Sequence, residues 1–305
     1  MRDGAKADSR GKTSAEPQPT DWTAASKPAP GLYLVATPIG NLDDITLRAL
    51  KLLKAADLVA CEDTRVTGKL MSLLGLKAPL TPYHEHNADK ARPALLAGLR
   101  EGAVICLVSD AGTPLVSDPG FRLVRACIDE GLPVTSLPGA SATLTALQLS
   151  GLPSDRFLFA GFLPNKSGAR RAALAELAGV PASLIFYESA RRLDDSLPDM
   201  AAMLGDRPAA VARELTKLYE EVRRGSLAEL AAHYREAGPP KGEVVVVVGP
   251  PAEDAPPAED EIDARLTEAM ASMSLRDAAA LVAAATGLPK RDVYARAVAL
   301  GRDKG

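Results

Sequence analysis

The chain has 305 residues, with 36 Lys and Arg against 39 Asp and Glu, so 36 − 39 gives a formal charge of −3. At 47% apolar and 25% charged residues it carries material for more than one core, which excludes a wholly disordered chain. The near-zero charge excludes a general polycation and leaves a nucleic-acid substrate open.

Residues 1–30 are rich in Ala, Lys, Asp, Ser and Pro and nearly devoid of large apolar groups, which predicts a disordered tail. Its Arg10-Gly11-Lys12-Thr13 ends like a phosphate-binding loop, but the first Gly of that motif is missing and no strand precedes it. No segment has the apolar core of a signal peptide or the length of a membrane span, so the expectation is a soluble cytoplasmic protein.

From Gly31 a βα alternation begins. The runs LYLVA (32–36), DLVAC (57–61), AVICLV (103–108) and PVTSL (133–137) are apolar at nearly every position, as parallel strands covered on both faces are. Helical patterns follow near Asp44 (ITLRALKLLKAA), at FRLVRACIDEG ending in Gly131 and at SATLTALQLSG ending in Gly151. A doubly wound α/β domain over 31–151 accounts for them. Cys61, Cys106 and Cys127 are odd in number, lack metal-ligand spacing and fall in apolar segments, so they read as buried, reduced thiols.

A composition break at Gly151-Leu152-Pro153-Ser154 opens a second α/β domain over 152–249, with strands at RFLFAGF (156–162), SLIFYES (183–189), PAAVAREL (208–215) and EVVVVVG (243–249). Residues 250–260 read as a Pro-rich acidic linker. Over 261–305 three helical patterns, separated by Ser274 as an N-cap and by a Gly287-Leu288-Pro289 turn, make a small helix-turn-helix-like module.

In an open parallel sheet, ligands bind beyond the carboxyl ends of the strands. Three loops there are rich in Gly and Pro: Thr37 to Asp44, Ser109 to Gly120, and Leu137 to Thr143. Such loops let backbone amides approach a ligand, and together they mark one edge as a site. No GxGxxG, GxSxG or HExxH is present, which removes the anchors of dehydrogenase, esterase and zinc-protease readings. Glu62-Asp63-Thr64-Arg65 reads equally as a polar site or an ion-paired loop. His84 and His86, in Tyr83-His84-Glu85-His86-Asn87, lack a third ligand at metal spacing, so no metal is expected. Lys166, Arg170, Arg171, Arg223 and Arg224 read as basic loops able to meet phosphates.

The motifs LVATPIGNLDDIT, EDTR, YHEHN, SDAGTPLVSDPG, PGASA, FYES and ARELTKLYEE, in this order, resemble the ribosomal RNA small-subunit methyltransferase I family of the tetrapyrrole-methylase-like (class III methyltransferase) superfamily. The resemblance covers about Leu32 to Gly249, and the last module resembles the helix-turn-helix extension of that family. It implies two α/β domains with S-adenosylmethionine in the cleft between them, a homodimer, and 2′-O-methylation of a cytidine in the decoding region of 16S rRNA on the 30S subunit.

Carried over by motif, the cofactor contacts are Pro38, Gly40, Asp110, Gly112, Thr113, Ser141, Ala142, Tyr187 and Ala212, with the Gly242-Glu243 edge closing the adenine pocket. TPIGN and SDAG replace the Gly-rich first loop and the GDP of porphyrin-modifying relatives, which favours RNA. The motifs assign no base, so candidates for the proton are Glu62, Asp63, His84, Glu85 and Glu188. Arg65, Asn87, Arg191 and Lys217 are candidate RNA contacts. A tetrapyrrole or diphthine-type methyltransferase, or a nucleic-acid-binding regulator using the C-terminal helices, are the alternatives.

Overall fold

The computed structural model describes residues 28–252, 259–286 and 288–302. Nearly all of the expected disordered tail, most of the acidic linker and Gly287 lie outside the described residues.

The first sheet collects β1 (Gly31–Val35), β2 (Leu58–Cys61), β3 (Leu80–Pro82), β4 (Val104–Val108) and β5 (Val134–Leu137), with α1 (Leu47–Ala55), α2 (Thr64–Leu73), α3 (Ala88–Arg100) and α4 (Phe121–Asp129) between them. The strand order is β3-β2-β4-β1-β5, all parallel. Strand β4 is buried at every position because its alternate side chains serve two cores. Ile105 and Leu107 pack with Leu95, Leu99 and Leu123 of α3 and α4. Val104, Cys106 and Val108 pack with Leu52, Leu53 and Met71 of α1 and α2. Each such fully buried aliphatic side chain stabilises the fold by roughly 1.5–3 kcal/mol. The chain leaves β1 towards β2 and the neighbouring β4 towards β5, with α1 and α4 on opposite faces of the sheet, so the loops after β1 and β4 lie side by side at the switch point.

Helix α5 (Ala142–Ser150) joins the two halves. Ser141 caps its start, and Gly151 at φ +75° ends it in the left-handed region that glycine adopts without strain. Its Ala146 and Leu147 pack against Ile185, Ala212, Val245 and Val247 of the second sheet.

The second half holds β6 (Phe157–Phe162), α6 (Ser167–Leu177), β7 (Ser183–Ser189), α7 (Leu193–Leu204), β8 (Pro208–Arg213), β9 (Glu221–Ser226), α8 (Leu227–Ala237) and β10 (Glu243–Val248). Its order is β6-β7-β10-β8-β9, and only β6 and β7 run parallel.

Two expectations change here. EVRRGS, read as a basic loop, is the edge strand β9; it lacks an apolar alternation and is held by pairing with β8 from Pro208–Ser226 to Arg213–Glu221. Its Arg224 donates to the carbonyls of Leu149 and Ser150 at the end of α5. Arg170, also read as a phosphate-facing loop residue, is 3% exposed and clamps Asp199 at 2.8 Å. A guanidinium that deep requires a carboxylate partner.

Helices α9 (Glu259–Met270), α10 (Leu275–Thr286) and α11 (Lys290–Arg302) enclose their own small core, built on Leu266, Ala278, Ala279, Val282, Val293 and Ala297. Ser274 accepts from the Asp277 amide at 3.2 Å, the cap read from the sequence. All three cysteines are buried and free. Among the described residues, no helix is long and apolar enough to cross a membrane.

Candidate active site

The loops after β1, β4 and β5 are bonded into one wall. Thr37 donates from its hydroxyl to the Ser109 carbonyl at 3.1 Å, and Thr113 donates to the Ala140 carbonyl at 3.0 Å. The loop after β1 also docks on the second half: the Asn41 amide donates to Thr216 Oγ1 at 3.2 Å, and a Cβ on Gly40 would collide with Lys217.

Between this wall and the edges of β7, β8 and β10 lies a cavity of about 410 Å³, within the range of small-molecule sites. Of the expected cofactor contacts, Gly112, Thr113, Ser141, Ala142, Tyr187 and Ala212 line it, as do Gly242 and Glu243. Pro38, Gly40 and Asp110 are not among its lining residues; Ile39 takes the place of the first two. Asp110 accepts from the Asp63 amide at 3.1 Å. Val116, Ser117, Asp118, Phe162 and Leu215 also line the cavity and were not singled out from the sequence. For the first three, their place inside SDAGTPLVSDPG was the available signal.

The backbone is strained around this cavity. Leu115, Ser117, Glu214 and Thr216 have φ of +73°, +63°, +49° and +64°. Side-chain-bearing residues rarely adopt this region and do so mostly where function demands it. Lys217 holds the second rim by bonding Glu214 at 2.8 Å and Glu243 at 2.9 Å. Burial opposes its charge, but the two carboxylates outweigh that and raise its pKa.

The candidate bases stand in different surroundings. Glu62 is half-buried; burial first, then the nearby Asp110 and Asp118 carboxylates, push its pKa up, while His84 works the other way. Burial also raises Asp118, with Asp110 adding to it and a hydrogen bond from Ser109 opposing it. Asp63 caps α2 and grips Arg65 at 2.6 Å, and those hydrogen bonds hold its carboxyl at about 2. Glu188 lines the cavity but is ion-paired with Arg192 at 3.1 Å and accepts from the Ser189 amide at 2.7 Å. Glu85 and His86 are exposed, and His84 buries an unpartnered Nδ1.

Of the candidate RNA contacts, Arg191 is exposed and Arg65 is exposed but paired with Asp63. Asn87 shapes its own turn, accepting from the His84 amide at 2.8 Å and donating to the Pro82 carbonyl at 2.9 Å. Among the described residues, no three His, Cys, Asp or Glu side chains are grouped to hold a metal ion.

Residues 31–231 match the family described as Tetrapyrrole (Corrin/Porphyrin) Methylases, and residues 256–301 match the RsmI C-terminal HTH domain. The chain is 55% identical over 277 residues to a protein of Mesorhizobium japonicum named Ribosomal RNA small subunit methyltransferase I, covering 90% of this chain and 94% of that one. It is 58% identical over 274 residues to the protein of that name from Erythrobacter litoralis, covering 89% and 96%. Among solved structures, a diphthine synthase superposes with a TM-score of 0.53 at 16% identity, covering 72% of this chain and 89% of that one. A uroporphyrin-III-C-methyltransferase from Thermus thermophilus does so with 0.52 at 24%, covering 72% and 93%. At such identities these two show the fold alone. The chain belongs to the tetrapyrrole methylase family and, within it, to the ribosomal RNA small subunit methyltransferase I family.

Proposed function

We propose that this chain transfers the methyl group of S-adenosylmethionine to the 2′-hydroxyl of a cytidine ribose in the decoding region of 16S rRNA, acting as a cytoplasmic homodimer on the small ribosomal subunit. The observation that carries the reading is the cavity itself, formed jointly by the SDAGTPLVSDPG loop and the second sheet. Its lining fits the methyl donor. Ile39, Ala142, Ala212, Leu215 and Val245 offer apolar faces for a flat base, and Asp118 and Glu243 set carboxylates beside a cationic ligand. At Gly112, with φ +81°, a Cβ would stand 3.2 Å from Ile39 Cγ2, so only glycine keeps the wall open and unstrained there.

Bound there, S-adenosylmethionine supplies a methyl group already activated by its sulfonium. The residues of this chain then align the acceptor oxygen with that methyl, keep water out and receive a proton. Of the five candidate bases only Glu188 lines the cavity, and its carboxylate is taken by Arg192 and the Ser189 amide; Glu62 stands outside the lining but next to Asp118, a carboxylate that does line it. The pair of Glu62 and Asp118 is assigned the hydroxyl proton. Asp63 serves its helix cap, and Glu188 holds Arg192. Arg65 and Arg191 are assigned to phosphates, while Lys217 shapes the rim and Asn87 the YHEHN turn.

The test is tritium transfer from labelled S-adenosylmethionine to small subunits lacking the modification, with the methylated nucleotide located by mass spectrometry. Transfer to the cytidine 2′-oxygen is expected. Transfer to uroporphyrinogen or to an elongation factor, with none to small subunits, would overturn the reading.

A further inference from the structure

Strand β6 contains a bulge that changes where Phe162 points. Phe157, Leu158 and Phe159 pair in parallel with Ser183, Leu184 and Ile185, but the register then shifts, so that Gly161 pairs with Phe186 and Phe162 with Tyr187. Ala160 is the extra residue, and Gly161 takes φ +68°. Uninterrupted alternation would place Phe162 on the face of Leu158 and Ala160, which pack in the core beneath α6, α7 and α8. The bulge moves it instead to the face of Phe159 and Tyr187, which is the cavity face.

Phe162 lines the cavity yet is 62% exposed. Phe121 and Phe157 are exposed as well, but of the three only Phe162 lies at the cavity. It meets Tyr187 edge-on, with ring centroids 5.4 Å apart and planes at 65°; Phe159 meets the same Tyr187 at 4.7 Å. Tyr187 is itself pinned by the Thr143 hydroxyl at 3.0 Å. An edge-to-face aromatic cluster, anchored at Tyr187, therefore ends in a ring open to solvent at the cavity mouth. A Cβ on the adjoining Gly161 would stand 3.4 Å from Ser117 Oγ, so the bulge lies beside the loop from the first half.

We propose that Phe162 is the platform on which the base of the acceptor nucleotide stacks once that nucleotide is turned out of the RNA. This rests on the reading of the cavity as the site of ribose methylation. When the reacting 2′-oxygen enters the cavity, the base carried by the same sugar is left at its mouth. A base out of its stack has lost its neighbours, and an exposed aromatic face replaces them. Such stacking tolerates any base, so Phe162 contributes affinity and positioning rather than base identity.

The experiment compares the full chain with Phe162→Ala, Phe162→Trp and Phe162→Leu, measuring steady-state methylation of small subunits, affinity for S-adenosylhomocysteine and mass in solution. Because the side chain is largely exposed, all three variants are expected to fold. For Phe162→Ala the KM for small subunits rises about ten- to one-hundred-fold, while the KM for S-adenosylmethionine changes far less. Phe162→Trp restores the parent value and Phe162→Leu does not. An unchanged KM in Phe162→Ala, or full rescue by Leu, overturns the platform. So does a loss of activity that tracks a change in oligomeric mass, since Phe162 would then be covered by a second copy of the chain. A parent enzyme that binds S-adenosylhomocysteine but leaves small subunits unmethylated overturns the functional reading and the platform with it.

Discussion

Thr37 and Gly112 exchange backbone hydrogen bonds at 2.9 and 3.0 Å although they follow different strands, β1 and β4. The crevice of a doubly wound sheet ordinarily has two independent lips. Here this antiparallel bridge, with the Thr37 to Ser109 and Thr113 to Ala140 bonds, makes a single wall from three loops. Positioning of a small ligand against that wall then depends also on Thr37, Ser109 and Ala140, which do not line the cavity.

Gly112→Ala tests the wall. A non-glycine residue at φ +81° costs on the order of 1–2 kcal/mol, and its Cβ would press on Ile39. The expected outcome is a lower Tm and roughly ten-fold weaker binding of S-adenosylhomocysteine by calorimetry, if the strain is relieved by opening the site. Binding at parent strength would show that the cavity does not depend on this bridge.

Glu62→Gln and Asp118→Asn address the proton. Each is expected to lower kcat by about 10²-fold or more, and Glu62→Gln, outside the cavity lining, to leave S-adenosylhomocysteine binding largely intact. A base works in its deprotonated form, and burial and the neighbouring carboxylates raise both pKa values. Single-turnover rate must therefore rise with pH through a point above the ordinary carboxylate value and then level off. A flat profile in the parent, or full activity in both variants, removes the pair from the mechanism. Glu188→Ala is expected to act differently, lowering Tm because it leaves Arg192 without its carboxylate.

The three cysteines offer a check on the cores. Burial pushes Cys106 up to about 12 and Cys127 to about 11, and raises Cys61 as well. Thiolate is the reactive form, so alkylation at neutral pH should label none of them in the folded protein and all three after denaturation. Rapid labelling of Cys106 in the native state would contradict the closed packing between β4 and the α1–α2 layer.

Helices α9 to α11 form a core among themselves, so a chain ending at residue 252 is expected to keep its Tm and its S-adenosylhomocysteine affinity. Methylation of small subunits should persist with a higher KM. If the chain were instead a nucleic-acid-binding regulator, the truncation would abolish function outright.

Legibility from the sequence followed local physics. The run Val104 to Val108 is apolar at every position because both sheet faces are covered, and it announced a parallel strand. The Gly151 stop and the Ser274 cap were equally visible, since a left-handed glycine and a hydroxyl acceptor act within a few residues. Strand β9 was not visible: EVRRGS owes its conformation to β8, a partner that no local pattern in it reports.

The site divides along the same line. By itself the sequence determined that three Gly- and Pro-rich loops end strands of one sheet, and its motifs carried most of the cavity lining, from Gly112 to Ala212. Only the tertiary structure decided that Asp110 bonds the Asp63 amide outside the cavity lining, that Glu188 is taken by Arg192, and that Asp118 and Phe162 face the cavity. Those outcomes depend on which strands become neighbours and on one bulge of register in β6, and neither is encoded within the span of a motif.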